Sequence, residues 1–364
     1  MRVPPIVFEH PMESGLVSVI IPSFNRARIV GGAIESALRQ TYRHLEVVVA
    51  DDGSTDDTRN VVARYGRRVR YVHQPNRGVA AARNVAIRHA RGEFVAFLDS
   101  DDRWKDWKIA AQIAALTKHT EAGLVCTDMS AIGPDGELLH ERYMRMLYPM
   151  HRSVAMQHAL PSVGTLGELL PTAPAEFAHA AVRCGNLSSQ ILLGNLLHTS
   201  TILLRRRWIS QVGGMVIELR EGGEDYEYYT RICAMGDVVM LDAPSIDYRI
   251  GAADQLSAPA RMLSIARNDL TTLRARLADP MRRRSLPSAQ IRHRLAFSLE
   301  WIGNLEFDEC RRGVAARYLA HSLKVKPAID RRVVRLLACA LPVFVVDGVL
   351  GFRRRRRQSL TANA

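Results

Sequence analysis

Residues 45–57 read LEVVVADDGSTDD, and residues 93–102 read EFVAFLDSDD. Each stretch is an apolar run of the kind that forms a strand buried on both faces, and a cluster of aspartates follows it at once. In an open α/β sheet, ligands bind outside the carboxyl ends of the parallel strands, where carboxylates can hold a divalent cation or nucleotide hydroxyls. The two stretches therefore predict a site for a nucleotide-activated substrate at the edge of a parallel sheet.

Strand and helix patterns alternate on either side of these two stretches. Periodicity and turn signals predict strands at 17–21 and 69–73 and helices at 31–40, 55–65 and 78–91. Strands that alternate with helices at this spacing form a parallel sheet with helices on both faces. We therefore expect an α/β fold with a mostly parallel sheet.

Composition and periodicity also predict how the chain is organised. Residues 131–195 contain five prolines and little periodicity, which predicts an irregular insertion with a helix near 177–184. Strand signals stop near 256–261, and helical patterns rich in arginine follow. We expect an N-terminal extension at 1–15, an α/β domain at 16–256 and a helical region at 257–364.

The composition is that of a globular protein with a strongly basic balance. Of 364 residues, 47% are hydrophobic, and 50 Lys and Arg against 37 Asp and Glu leave a net charge of +13. Such a charge attracts nucleic acid, anionic lipid and phosphorylated substrates alike, so it does not choose among them.

The five cysteines are scattered without a C-x-x-C pair, which argues against disulfides and structural zinc. The N-terminal residues lack the pattern of a secretory signal, and we expect a cytoplasmic protein.

The last apolar stretch of the chain, at 336–352, reads LLACALPVFVVDGVLGF. Pro342 and Asp347 interrupt it, and it is shorter than the roughly 20 clean residues that a membrane-spanning helix needs. Five arginines follow at 353–357. This pattern fits an interfacial anchor on an anionic membrane face, and it fits equally a terminal helix packed on the domain with a solvated basic tail.

Several short motifs occur between residues 15 and 255. They are VSVIIPSFN at 17–25, DDGSTD at 51–56, NRG at 76–78, ARN at 82–84, LDSDD at 98–102, GGEDY at 222–226 and DYR at 247–249. In their order and spacing they resemble the family 2 glycosyltransferases of the GT-A fold. Any one of these motifs alone is weak, whereas several in register are specific. The resemblance implies a GT-A catalytic domain at 16–256.

The resemblance implies an enzyme that transfers a sugar, with inversion, from a nucleotide diphosphate donor to an acceptor hydroxyl. UDP is the favoured nucleotide, and Mg²⁺ or Mn²⁺ is the implied cofactor, because a cation stabilises the charge on the leaving diphosphate. Asp101 is the implied metal ligand, with Asp99 on the metal or the ribose. Asp102 is the alternative ligand if the register is shifted by one residue.

The same resemblance implies a nucleotide pocket at the ends of the first two strands. Pro22, Phe24 and Asn25 would line this pocket. Asp52 would accept a hydrogen bond from an N–H group of the base and so help to select uracil.

Direct displacement also needs a general base on the acceptor hydroxyl, opposite the leaving group. Asp225 is the implied base, supported by Glu224, although acids at the start of a helix more commonly respond to the helix dipole. Arg83 and Arg249 would neutralise the donor phosphates, although lone arginines in so basic a chain are commonly solvated. His198 could contact the acceptor or the diphosphate, and a structural histidine is the alternative.

The expected partners are a nucleotide-sugar donor and a hydroxyl acceptor in glycan, polysaccharide or lipid-linked cell-envelope synthesis, with 131–195 as the acceptor region. We expect the protein in the cytoplasm or at the cytoplasmic face of a membrane. A nucleotidyltransferase is the rival enzyme class, but the turn after the first strand reads PSFNRAR and not a glycine-rich phosphate loop. A noncatalytic protein that binds nucleotide sugars or anionic polymers is a further alternative, and no nucleic-acid module is recognisable in the sequence.

Overall fold

A computed structural model describes residues 3–251 and 259–341 of the protein. The chain divides into two units, the first ending at Arg261 and the second beginning at Met262. The first unit is built on one large sheet, and the second unit is helical.

The strands of the first unit follow the apolar runs of the sequence. In chain order they are β1 Glu13–Ser23, β2 Leu45–Asp51, β3 Val69–His73, β4 Gly92–Phe97, β5 Arg103–Trp104, β6 Leu124–Ile132, β7 Leu138–His140, β8 Ser162–Thr165, β9 Ala181–Gly185, β10 Leu203–Arg205 and β11 Val238–Arg249.

The helices of the first unit connect these strands. In chain order they are α1 Val30–Leu38, α2 Thr58–Ala63, α3 Val79–His89, α4 Lys108–Lys118, α5 Met144–Leu147, α6 Val154–Ala159, α7 Leu166–Leu169, α8 Arg206–Val212 and α9 Glu224–Ile232.

The sheet has the strand order β3-β2-β1-β4-β10-β6-β11-β9-β8, with β5 beside β11 and β7 beside β6. The four strands from β3 to β4 are parallel, as the alternating pattern predicts. β10 is antiparallel to β4 and β6, and β9 is antiparallel to β11 and β8. The predicted α/β fold is confirmed, but the sheet as a whole is mixed. A strand as short as β10 carries no signal for its direction, which is set by its neighbours in space.

Helices cover both faces of the sheet because the inner strands β1 and β2 carry apolar side chains on both sides. Ile20 and Val48 contribute to one core together with α3, whereas Val19 and Val47 belong to a second core with α1 and α4. Successive side chains of a strand point to opposite faces, so an uninterrupted apolar run buries both.

The region 131–195, which the sequence predicts to be irregular, contains short helices and strands. β9 pairs with β11, from Val182 opposite Leu241 to Gly185 opposite Val238, and β8 pairs with β9. The predicted helix near 177–184 is therefore wrong. The paired stretch is too short to show a period of two, and its strand conformation depends on hydrogen bonds to β11.

The second unit contains α10 Met262–Leu277, α11 Pro280–Arg284, α12 Ser288–Asp308, α13 Arg312–Val325 and α14 Arg331–Cys339. Ala266, Leu270, Leu299 and Ile302 form a buried core between α10 and α12. None of the helices that the structure describes is long and apolar enough to cross a lipid bilayer. Most of the predicted apolar segment, from residue 342, and the arginines 353–357 lie outside the described residues.

Candidate active site

The carboxyl ends of β2 and β4 lie at the same edge of the sheet, on either side of β1. Ser23 at the end of β1 is paired with Asp51 at the end of β2, and Ile20 is paired with Phe97 of β4. Both aspartate clusters therefore follow strands that end at one edge, where ligands bind in sheets of this kind.

The loop after β1 forms one wall of this edge. Asn25 has a positive φ of 52°, and its Oδ1 accepts a hydrogen bond from Thr55 N at 2.8 Å. The backbone N–H of Asn25 donates to Ser54 Oγ at 2.9 Å, so the loops after β1 and β2 are joined. Phe24 beside it is exposed, whereas Pro22 is buried within β1. An exposed ring at this edge can stack on a planar base.

Asp52 binds the segment that precedes α3. Its buried carboxylate accepts hydrogen bonds from Arg77 N at 2.9 Å, Gly78 N at 2.8 Å and Gln74 Nε2 at 2.5 Å. Three donors of the protein's own chain thus engage this carboxylate. The structure therefore does not favour Asp52 as the acceptor for a nucleotide base.

Arg83 of α3 connects the loop after β4 with the start of α9. Its side chain is only 2% exposed, and it donates to Asp99 Oδ1 at 2.7 Å and to Glu224 Oε1 at 2.8 Å. Burial disfavours the guanidinium charge, but the two carboxylates outweigh burial and raise the pKa of Arg83. A buried guanidinium engaged in this way is positioned to hold carboxylates, so the structure does not favour Arg83 as a phosphate ligand.

Glu224 and Asp225 begin α9, directly after Gly223, whose φ is +88°. Burial, and then the charge of Asp225, raise the pKa of Glu224 to about 7, although Arg83 acts in the opposite direction. Asp225 is partly exposed, and its Oδ1 accepts a hydrogen bond from Tyr226 N at 2.7 Å. Burial also raises the pKa of Asp225. Asp225 is thus a carboxylate of increased basicity that still reaches the surface of the site.

Asp99 and Asp101 present partly exposed carboxylates at this edge. Hard divalent cations such as Mg²⁺ and Mn²⁺ prefer oxygen ligands of this kind. Burial, and then the charges of Asp101 and Asp99, raise the pKa of the neighbouring Asp102 well above its ordinary value. A cation bound between the exposed carboxylates would offset this repulsion, so the residues present fit a divalent ion.

Asp102 itself has a different environment. Its buried carboxylate accepts hydrogen bonds from Ser200 Oγ at 2.5 Å and from Arg249 N at 3.3 Å. Ser200 Oγ also accepts a hydrogen bond from Asp99 N at 3.0 Å, which ties the aspartate loop to the segment before β10. The structure therefore does not favour Asp102 as the alternative metal ligand. Ser200 carries no motif that would have predicted this contact.

His198 and Arg249 are engaged in contacts within the protein. The ring of His198 meets Tyr248 edge-on, with 4.6 Å between ring centres. Burial lowers the pKa of His198 to about 4, so this side chain is neutral at physiological pH. Arg249 donates from Nη1 to Pro134 O at 2.5 Å. The ring contact supports a packing role for His198, although its buried Nδ1 has no hydrogen-bond partner in the described part of the chain. The bond to Pro134 does not favour Arg249 as a phosphate ligand.

The region 131–195 contributes side chains to the site. Asn195 donates from Nδ2 to Asp225 Oδ2 at 3.4 Å. Tyr148 lies close to Asp225 and Asp99, and after burial their charges help to raise the pKa of its hydroxyl well above the ordinary value. Neither residue has a sequence signal, because isolated polar side chains in a segment without periodicity cannot be assigned to a neighbour.

A second group of metal-ligating side chains, Glu9, His10 and His89, lies outside this site. His89 Nδ1 is 2.8 Å from Glu9 Oε2, and the Arg70 guanidinium is 2.8 Å from His10 Nε2. The Arg70 N–H occupies the lone pair of His10 Nε2 that a metal would need, so we do not assign this group to a metal.

The order of these motifs along β1, β2, β4 and α9 allows a comparison with known proteins. The family model described as "Glycosyl transferase family 2" matches residues 18–164. Residues 18–164 are thus similar to the family 2 glycosyltransferases, as the motifs of the sequence predict.

Two bacterial relatives show how much of the chain is similar in sequence to known glycosyltransferases. The Escherichia coli enzyme WfgD, described as a UDP-Glc:alpha-D-GlcNAc-diphosphoundecaprenol beta-1,3-glucosyltransferase, is 41% identical over 110 residues, which are 30% of this chain and 44% of WfgD. The chondroitin synthase of Pasteurella multocida is 37% identical over 142 residues, which are 38% of this chain and 15% of the synthase. The match thus spans less than half the length of either relative.

Solved structures resemble the chain over more of its length. S. aureus TarS in complex with UDP-GlcNAc has a TM-score of 0.54 at 20% identity, covering 85% of this chain and 81% of TarS. The mannosyltransferase PcManGT from Pyrobaculum calidifontis, in complex with GDP-Man and Mn²⁺, has a TM-score of 0.53 at 21% identity, covering 93% of this chain and 83% of PcManGT. At this identity the likeness establishes the fold, which is the predicted GT-A class.

Proposed function

We propose that the protein is an inverting glycosyltransferase that moves a sugar from a nucleotide diphosphate donor to an acceptor hydroxyl. The observation that carries this proposal is the buried Arg83, which bonds both Asp99 and Glu224. This ion-pair bridge joins the aspartate loop after β4 to the acidic start of α9. Direct displacement requires a base at the acceptor hydroxyl and positive charge at the leaving diphosphate. The candidate base at the start of α9 and the aspartate loop that would bind the metal meet these two requirements on the two sides of one site.

Asp225 would act as the general base. It would take the proton of the acceptor hydroxyl while that oxygen attacks the anomeric carbon from the side opposite the leaving diphosphate. The bond to the diphosphate breaks as the new glycosidic bond forms, so the configuration at the anomeric carbon inverts. The hydrogen bond from Tyr226 N would hold the carboxylate in place, and burial would make it a stronger base.

Asp101 and Asp99 would hold Mg²⁺ or Mn²⁺. When bound, such an ion supplies positive charge against the diphosphate as its negative charge increases. The partial exposure of both carboxylates supports this assignment, and PcManGT has been solved with Mn²⁺. Arg83 would keep Asp99 oriented toward the ion.

A UDP-sugar is the first donor to test, because WfgD uses UDP-Glc and TarS has been solved with UDP-GlcNAc. Phe24 would stack on the base, and the Asn25 loop would border it.

Asn195 and Tyr148 support the region 131–195 as the acceptor surface. A glycan or lipid-linked acceptor in envelope polysaccharide synthesis, used in the cytoplasm or at its membrane face, fits the diphosphoundecaprenol acceptor in the name of WfgD.

The test is nucleotide release from UDP-, GDP- and dTDP-sugars with Mn²⁺ or Mg²⁺, with and without a chelator. We expect release from one donor class to require the metal and to fall about 10²-fold or more in Asp225→Asn, since a general base contributes on this scale. In Asp101→Ala, the metal-dependent release of nucleotide should be abolished. The matched control is Asp106→Asn, whose carboxylate is exposed and 3.7 Å from Arg39. Its release rate should stay within about twofold of wild type.

Three outcomes would contradict the proposal. Release that persists in Asp225→Asn at the wild-type rate would remove the base from the mechanism. A transfer product that NMR shows to retain the donor's anomeric configuration would rule out single displacement. Absence of both release and nucleotide binding across the panel would contradict the donor class itself.

A further inference from the structure

The basic charge of the protein lies entirely in its second unit. Residues 262–364 contain 21 Lys and Arg against 8 Asp and Glu, whereas residues 1–261 contain 29 of each. The whole net charge of +13 is therefore carried by the C-terminal residues. The attraction of this chain for anions thus belongs to the helical unit and not to the domain that holds the candidate active site.

The outer face of α14 is apolar. Val334 and Leu337 on the helix are 66% and 65% exposed, and Leu341 just beyond its end is 48% exposed. Their spacing of three and four residues puts them on one face. Ile329, in the turn that precedes the helix, is fully exposed. Apolar side chains exposed together, rather than singly, mark an interaction surface.

The inner face of α14 carries arginines. Arg332 is buried and donates to Asp330 Oδ2 at 2.8 Å and to Ser322 Oγ at 3.0 Å. The guanidinium of Arg335 lies 5.8 Å from the centre of the Phe307 ring. A helix that only packs on a soluble unit directs its apolar side inward and its charges outward. α14 instead turns Arg332 and Arg335 inward beside the small side chains of Ala338 and Cys339. It leaves Val334 and Leu337 outside, so its exposed apolar face suits an apolar surface outside the unit.

We propose that the outer face of α14 docks on the surface of an anionic phospholipid bilayer. Val334, Leu337 and Leu341 would enter the boundary between headgroups and acyl chains. The chain continues with the apolar residues 342–352 and the arginines 353–357. Apolar contact together with a polybasic run is the pair of signals that gives stable peripheral binding. This inference is independent of the proposed reaction.

A lipid surface explains both the exposed apolar face and the basic charge, whereas nucleic acid or a second copy of the chain explains only one of them. Nucleic acid would satisfy the arginines, but its phosphates and sugars would gain little from three exposed aliphatic side chains. A second copy of the chain could cover the apolar face, but its charge of the same sign would be repelled. We therefore commit to the lipid surface and treat the other two as outcomes that would overturn it.

The test is flotation of the full-length protein with vesicles of phosphatidylcholine alone or with about 30% phosphatidylglycerol. We expect binding at least about tenfold tighter to the anionic vesicles, weakened by raising the salt concentration. The double variant Val334→Glu/Leu337→Glu should lose at least about tenfold in binding, as should a variant with residues 353–357 changed to glutamine. The control Val7→Glu, at a 71% exposed aliphatic side chain in the first unit, should bind like wild type.

Thermal unfolding should show that the double variant is folded, since both substituted side chains are largely exposed. Vesicle binding that is unchanged in the double variant would overturn the proposal. So would a wild-type dimer, measured by light scattering, that the double variant converts to monomer while neither protein binds vesicles. Binding of duplex RNA as tight as that of the anionic vesicles, and unaffected by the glutamates, would assign the basic unit to nucleic acid instead.

Discussion

At the scale of single residues, Arg83 shows how far a side chain's environment departs from its sequence context. It follows three alanines in α3, and from the sequence it can equally be a phosphate ligand or a solvated surface residue. In the structure it is buried between Asp99 and Glu224. Buried charges such as those of Arg83 and Glu224 are tolerated only when they are paired, so the bridge stabilises this edge of the sheet.

We expect Arg83→Met to lower the free energy of unfolding by about 3–5 kcal/mol, because it leaves Asp99 and Glu224 facing each other in a largely buried site. Unfolding in urea would measure this loss. The matched control is Arg88→Met on the same helix, where the side chain is 39% exposed and 3.7 Å from Glu9. Its loss should be below about 1 kcal/mol.

The loss should also depend on pH. In wild type the pKa of Glu224 is about 7, and without the guanidinium it rises further. A carboxyl group whose folded pKa exceeds its unfolded value destabilises the fold as pH rises toward the folded pKa. The difference between Arg83→Met and wild type should therefore grow above about pH 7. Equal losses in the Arg83 and Arg88 variants at every pH would contradict the bridge.

At the scale of secondary-structure elements, α9 does more than present Asp225. Glu227 is fully buried and pairs with Arg231, with 2.7 Å between Oε2 and Nη2. Arg231 also donates to Val212 O at 2.5 Å and to Gly214 O at 2.7 Å. Through Arg231, α9 therefore binds the start of the segment that leads from α8 to Gly223. Because this segment ends at the first turn of α9, these hydrogen bonds help to fix the position of that turn.

Arg231→Met should destabilise the protein by about 3 kcal/mol or more, because it leaves the buried Glu227 carboxylate without its cation. The double variant Glu227→Gln/Arg231→Met removes that unpaired charge, so we expect it to regain about 1–2 kcal/mol relative to Arg231→Met. Urea unfolding of the two single variants and the double variant completes the cycle. Strictly additive losses would show that the two side chains are not energetically coupled.

At the scale of the whole molecule, the chain combines an electrically neutral α/β unit with a strongly basic helical one. The residues of the proposed site lie in the loops after β1 and β4 and in α3 and α9, all of which belong to the first unit. We propose that the catalytic domain comprises residues 16–256 and that the remaining residues serve localisation.

Hydrogen exchange with and without UDP and Mn²⁺ would test this division. We expect slower exchange in the loops after β1, β2 and β4 and at the start of α9, by up to about 2.7 kcal/mol at a ligand concentration of 100 Kd. Exchange in α12 and α13 should not change. Protection of comparable size in those two helices would contradict a donor site confined to the first unit.

Part of this protein could be predicted from local sequence. The apolar runs of β1, β2 and β4 predict buried parallel strands, and the aspartates that follow them predict an acidic edge. Chain connectivity alone brings these clusters together, because parallel strands joined by helices end at the same side of a sheet. The motif around Asp225 could likewise be recognised, because two adjacent acidic residues, Glu224 and Asp225, begin a helix.

The role of each charged side chain, by contrast, depends on tertiary contacts that local sequence does not reveal. Asp52, Asp102 and Arg83 all read as ligand-binding residues, yet each is engaged by donors or acceptors from distant parts of the chain. The strand conformation of β9 and the inward position of Arg332 in α14 likewise depend on their neighbours. Periodicity records which side chains are buried, but hydrogen bonds and ion pairs between distant residues decide which buried charges remain available to a ligand.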